Sequence, residues 1–195
     1  MALPRTLTVA DLYAMPESER GERYELIEGV LFVTPAPTWR HQTVSSNLFY
    51  HVVMHVRSLR LGWVRDNSGV HVDVRTYVIP DLLFISRDRQ DIIGEANIEA
   101  APDLVVEILS PSTRRNDLLT KRSLYARIGV REYWIIEPGT QTVTVLTLES
   151  GNYSEVPLTE TGAVRSRVLP ELRLTLDDVF EEVDLVPPST SAGPE

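Results

Sequence analysis

The chain has 195 residues, 43% of them hydrophobic and 24% charged, and no cysteine. That supports a buried core and leaves out disulfides, thiolate nucleophiles and cysteine-type zinc sites. A formal charge of −9 and a pI near 5.0 argue against a passive DNA coat, whose affinity comes from an all-over basic surface, but leave room for a small basic face beside a metal site.

Thr8-Val9-Ala10-Asp11-Leu12-Tyr13-Ala14-Met15 reads as a short capped helix ending before Pro16. Glu22 to Leu31 reads as two strands turning at Glu28-Gly29, the second continuing to Val33. Thr38 is placed to cap a long helix from Trp39 to Leu61. Its apolar residues Val44, Leu48, Val52, Val56 and Leu59 recur at helical spacing, and Gly62 is expected to stop it. Three strand-like stretches follow: Gly62–Arg65, Val70–Val74 and Val78–Ile85. Ser86 to Ala101 is polar and mixed, a loop with some helical turn. Asp103–Leu109 is the most apolar strand and fits a central one covered on both faces.

Ser110-Pro111-Ser112-Thr113 offers a cap for a helix running to Ile128, where Gly129 ends it. Glu132–Ile136 is a further buried strand. Hairpin strands are expected around Val143–Leu146 and Tyr153–Leu158, and a last helix over Asp177–Val183. The helical crossover before Glu132 predicts a parallel neighbour, and the tight turns elsewhere predict antiparallel ones. The expected fold is α/β (α+β mixed), a mixed sheet flanked by helices with extra hairpins on the C-terminal side. One domain is expected over residues 1–186, followed by a disordered Pro/Ser/Gly-rich tail over 187–195. No apolar run nears the roughly 20 residues of a membrane span. Nor does Met1–Thr6 begin a signal peptide, so a soluble cytoplasmic protein is expected.

The 19 basic residues comprise 18 arginines and one lysine, Lys121. Where arginine fills almost every basic position, a surviving lysine is either a chance remnant or a compact ammonium doing what a planar guanidinium cannot. Asp81 follows Pro80, and Glu107 lies inside the buried strand, where a carboxylate needs a partner or a metal. Two carboxylates on neighbouring strand ends can hold a hard divalent cation, which polarises a phosphoryl oxygen and activates water. A nearby ammonium can orient that water or stabilise the transition state. Read from the residues alone, the three also fit an edge aspartate, a salt-bridged glutamate and a surface lysine, the more common arrangement.

The block Val78-Ile79-Pro80-Asp81-Leu82 is followed by Pro102-Asp103-Leu104-Val105-Val106-Glu107-Ile108-Leu109-Ser110-Pro111-Ser112-Thr113. Asp117, Lys121, Tyr125 and Gly129-Val130-Arg131-Glu132-Tyr133-Trp134-Ile135-Ile136-Glu137-Pro138 come next. Together these resemble a bacterial family of restriction endonuclease-like proteins, first catalogued as a domain of unknown function, within the PD-(D/E)XK nuclease superfamily. Tyr24-Glu25-Leu26-Ile27-Glu28-Gly29 and His41 match as well, so the resemblance spans Leu7 to Phe180.

It implies a restriction-endonuclease-like core and a Mg²⁺- or Mn²⁺-dependent endonuclease acting on DNA. Asp81 and Glu107 would be the metal ligands, with the Ile108 carbonyl a further one. One position departs from the superfamily pattern: Leu109 stands where the namesake lysine would be, and Lys121 on the following helix matches the relocated lysine of this family. The alternative is a nuclease-fold binding or assembly module with little or no turnover. A homodimer is expected by analogy, since many nucleases of this fold cut two strands with two subunits.

Glu25 and His41 are either accessory groups beside the metal or structural residues. Asp117, one turn before Lys121, is placed to orient it, and Tyr125, one turn after, reads as packing. His51 and His55 lack the intervening glutamate of a zinc-protease motif, and the serines at 110 and 112 lack elbow glycines. From Pro111 to Tyr133 six basic residues face two acidic ones. Arg114, Arg115 and Arg122 in this stretch are candidates for contacting a phosphate backbone.

Overall fold

A computed structural model describes residues 6–185; the expected disordered tail, 187–195, lies outside the described residues, as do the first five. The sequence opens with helix α1 (Val9–Tyr13), held by a reciprocal cap. Thr8 accepts from the Asp11 N–H, and the Asp11 carboxylate accepts from Thr8 N. Strands β1 (Arg23–Ile27) and β2 (Val30–Thr34) form a hairpin whose two turn residues, Glu28 and Gly29, both have positive φ, the twist that suits a two-residue turn.

Thr38 caps α2 (Trp39–Leu59), which buries Val44, Leu48, Val52 and Val56. Leu59, expected on that apolar face, is exposed, and the helix ends with Arg60 in the left-handed conformation rather than at Gly62. Gly62 has another reason to be glycine. It opens β3 (Gly62–Asp66), and a Cβ there would lie 2.0 Å from the Ile85 carbonyl oxygen of the paired strand.

The stretch expected as one strand, Val78–Ile85, is two strands in two different sheets. After β4 (Val70–Asp73), β5 (Thr76–Val78) closes an antiparallel four-stranded sheet of order β2-β1-β5-β4. Strand β6 (Leu82–Ser86) belongs to a six-stranded sheet. The break has a local cause. Pro80 has no N–H to continue a ladder, and the Ile79 N–H leaves the ladder to donate to the Glu25 carboxylate at 2.8 Å. Asp81 is therefore set at the junction between sheets.

A 3₁₀ segment over Arg87–Ile92 leads to β7 (Leu104–Ile108), all five residues of which are buried. The crossover then returns to β8 (Glu132–Glu137), and β9 (Thr142–Glu149) and β10 (Asn152–Val156) complete the order β10-β9-β8-β7-β6-β3. The β7–β8 pair is parallel and the other pairs are antiparallel, as the connection lengths require. The crossover is not the uniform helix expected. Asn116–Lys121 is a π-helical turn, with Arg122 N–H bonding five residues back to the Asp117 carbonyl, before α3 (Arg122–Ile128) ends at left-handed Gly129.

Alternation along β7 divides the core. Leu104, Val106 and Ile108 face α2 and the C-terminal segment, where α4 (Leu176–Phe180) packs. Val105 and Leu109 face Leu124 and Tyr125 of α3, and Glu107 shares that side. Asn47 of α2 donates to the Val179 and Glu181 carbonyls, tying α4 down. Among the described residues no helix is long and apolar enough to cross a membrane.

Candidate functional site

Five distant segments deliver ionisable groups to one cleft of about 190 Å³. On β1, Arg23 and Glu25 are two residues apart and so share a face. His41 comes from the first turn of α2, Asp81 from the sheet junction, Glu107 from β7, and Asp117 and Lys121 from the π-helical turn.

Two linked clusters result. Asp81, 4% exposed, receives Arg23 NH1 on Oδ1 at 2.9 Å, and on Oδ2 it meets His41 Nε2 at 3.1 Å and the Ile108 N–H at 2.8 Å. Burial alone would raise its pKa. The His41 hydrogen bond and charge, the Ile108 N–H and Arg23 outweigh burial and hold it down at about 2. The other cluster centres on Lys121, whose Nζ lies 2.9 Å from Glu25, 3.0 Å from Glu107 and 3.5 Å from Asp117. Burial works against its charge, but these three carboxylates push its pKa well above the lysine range, so it stays an ammonium. Glu107 and Asp117 move upward, chiefly because they are buried.

Four carboxylates thus face two permanent cations, an excess of two negative charges before His41 is counted. Sequence reasoning missed two members. Arg23 carried a signal in its two-residue spacing from Glu25. Tyr125, read as packing, is buried but also donates its hydroxyl to Glu107 Oε1 at 2.6 Å. Burial pushes its own pKa far up, so it remains a donor. Its ring stands edge-on to Tyr133, whose hydroxyl donates to the Asp117 carbonyl. The i,i+4 step from Lys121 was the available clue.

Arg114, Arg115 and Arg122 do not line the cleft. They are exposed on the outer side of the crossover, and Arg114 pairs with Glu137. Ser110 and Thr113 bond each other at the cleft mouth as a capping turn. His55 bonds the Pro170 carbonyl and His51 packs on Tyr50, both away from the cleft.

A solved structure described as a "putative nuclease belonging to DUF820" from Anabaena variabilis superposes with a TM-score of 0.74 at 22% identity, covering 91% of this chain and 99% of that one. The fold is therefore that of this neighbour. No curated protein matches the chain. The family model Uma2, described as "Putative restriction endonuclease", matches residues 9–177, a span that holds both sheets, the π-helical turn and every residue of the two charged clusters. The chain belongs to the Uma2 family.

Proposed function

We propose that the protein is a divalent-metal-dependent endonuclease hydrolysing phosphodiester bonds of DNA. The observation that carries this reading is the concentration of four buried carboxylates against two permanent cations in one cleft. With all four ionised, the excess of two negative charges in a desolvated site is the complement of one divalent cation.

The donor set fits a small hard ion. Among the described residues no three His, Asp or Glu side chains converge as a ready metal cage, but Mg²⁺ characteristically takes one or two carboxylates and keeps its waters. Glu107 commits Oε1 to Lys121 and Tyr125, and its Oε2 accepts no hydrogen bond among the described residues. The N–H of Leu109 points to β8, that of Ile108 to Asp81. Since N–H and C=O of one strand residue face the same edge, the Ile108 carbonyl faces Asp81 too. Asp81, Glu107 and this carbonyl would hold Mg²⁺ or Mn²⁺, which supplies polarisation of a phosphoryl oxygen and a water acidic enough to attack.

The chain's own groups do the rest. Lys121 keeps Glu107 in place and brings positive charge to the phosphoryl group as its charge develops. Glu25 and Asp117 keep Lys121 protonated, and His41 with Arg23 orients Asp81. The water oxygen bonds to phosphorus as the bond to the leaving sugar oxygen breaks; the proton the water sheds passes to solvent, and the leaving oxygen takes one from solvent. The exposed Arg114, Arg115 and Arg122 would attract the phosphate backbone from outside the cleft.

Cleavage of supercoiled plasmid and of single-stranded DNA with Mg²⁺ or Mn²⁺ tests this, with Asp81→Ala and Lys121→Ala beside the parent at a temperature where all three are folded. Metal-dependent nicking lost in both variants is expected. No cutting by the parent, with no metal uptake by calorimetry, would identify a nuclease-fold module without turnover. Cutting that survives in both variants would place the chemistry elsewhere.

A further inference from the structure

Resting on that reading, we propose that Arg23 is the residue that grips a phosphate oxygen of the substrate, and that Asp81 holds its guanidinium in reserve until the carboxylate is otherwise engaged. A phosphodiester entering the cleft needs a cation with hydrogen-bond donors to spare, and the cleft offers few. Lys121 has three N–H donors and three carboxylates within 3.5 Å, and its side chain is only 4% exposed. Glu25 and Glu107 take two of those donors and Asp117 lies against its charge at 3.5 Å, so Lys121 offers an incoming anion a shared charge and at most one N–H.

Arg114 is paired with Glu137, and neither Arg115 nor Arg122 lines the cleft. Arg23 is also paired, but with a carboxylate inside the cleft. It lines the cleft, its side chain is 23% exposed, and it spends one bond, NH1 to Asp81 Oδ1. A guanidinium carries five N–H donors in a planar fork that matches two phosphate oxygens at once. Its strand position is fixed by the β1–β2 ladder, where it pairs with Thr34, so the fork is carried on rigid backbone.

Asp81 cannot serve a divalent cation and hold Arg23 with full strength together. Positive charge arriving at the carboxylate weakens its hold on the guanidinium, releasing a cation next to where the scissile phosphate would lie. Arg23 in the free protein would then be masked, and unmasking it should be visible without any metal.

The experiment measures binding of short fluorescein-labelled single-stranded and duplex oligonucleotides in EDTA at low salt. It compares the parent, Asp81→Asn, Arg23→Gln and the double variant, each checked for folding by circular dichroism. Asp81→Asn should tighten binding about tenfold, Arg23→Gln should change it less than about twofold in the parent background, and the same change should cost about tenfold in the Asp81→Asn background. Arg23→Lys in that background keeps the charge but loses the fork, and should retain only part of the gain.

An equal effect of Arg23→Gln in both backgrounds overturns the proposal, because a general charge effect would be additive. So does an Asp81→Asn protein that binds no tighter than the parent. Failure of this inference is separable from failure of the nuclease reading. If the parent and Arg23→Gln cut DNA in Mn²⁺ with the same KM, the masking idea falls and the nuclease stands. If the parent neither binds nor cuts, both fall.

Discussion

Replacing Lys121 by methionine keeps most of the aliphatic volume and removes the one charge that three buried carboxylates share. Glu25, Glu107 and Asp117 lie 2.9, 3.0 and 3.5 Å from its Nζ, and all four side chains are at most 4% exposed. Breaking a buried pair from one side costs about 3–5 kcal/mol. With three carboxylates stranded, the upper end applies wherever they are ionised. For a chain of this length that corresponds to a fall in Tm of roughly 10–20 °C.

The loss should depend on pH. Glu107 and Asp117 are already pushed upward by burial, so in the variant the folded state holds protons that the unfolded chain releases, and falling pH stabilises it. In the parent, Lys121's raised pKa contributes stability that is complete below the ordinary lysine range and lost only as pH climbs through its shifted value. Urea unfolding, followed by the fluorescence of buried Trp134, should show a deficit of about 5 kcal/mol near pH 8 that shrinks to about 2 kcal/mol near pH 5. A deficit within about 0.5 kcal/mol at the higher pH, or an equal one at both, would refute the charge-sharing argument.

Mg²⁺ or Mn²⁺ should raise the parent's Tm, by about 2.7 kcal/mol of stability at a hundredfold excess over Kd, and more at pH 8 than at pH 6 because Glu107 must shed its proton to coordinate. Differential scanning fluorimetry with an EDTA control reads this, and Asp81→Asn should abolish the shift. Tyr125→Phe removes the 2.6 Å bond to Glu107 and should cost about 1–3 kcal/mol. In a cleavage assay it should lower kcat at nearly unchanged DNA affinity; an unchanged kcat would make the hydroxyl merely structural. Gly62→Ala places a Cβ 2.0 Å from the Ile85 carbonyl oxygen, so β3 must pull away from β6. A loss of about 3 kcal/mol in chemical denaturation is expected, and tolerance of alanine would mean that this edge strand shifts freely.

Local chemistry announced much of this molecule before any contact was known. Thr8 at the head of Val9-Ala10-Asp11-Leu12 marked a short capped helix. The spacing of Val44, Leu48, Val52 and Val56 marked the buried face of α2. The helical crossover between Leu109 and Glu132 required a parallel β7–β8 pair. These follow from backbone geometry within a few residues, which is why periodicity and end signals suffice to find them. The resemblance pointed to the family, and within it to Asp81, Glu107 and Lys121.

What no local pattern could supply was convergence. Val78–Ile85 looks like one strand because Val78, Ile79 and Leu82–Ile85 on either side of Pro80-Asp81 are all apolar. It becomes two because Pro80 has no N–H to continue the ladder and Glu25, more than fifty residues earlier in the chain, takes the Ile79 N–H. The π-helical turn leaves no trace in apolar spacing, yet it carries both Asp117 and Lys121, whose ion pair belongs to the Lys121 cluster. Arg23 became a site residue only when the four-stranded sheet was laid against the edge where β6 begins, bringing its guanidinium to Asp81. Most elements, their caps and the parallel β7–β8 pair were legible in the residues, because those energies are short-range. Tertiary structure alone decided which charges share a desolvated cleft, since a Coulomb interaction depends on separation in space and on the water removed between partners.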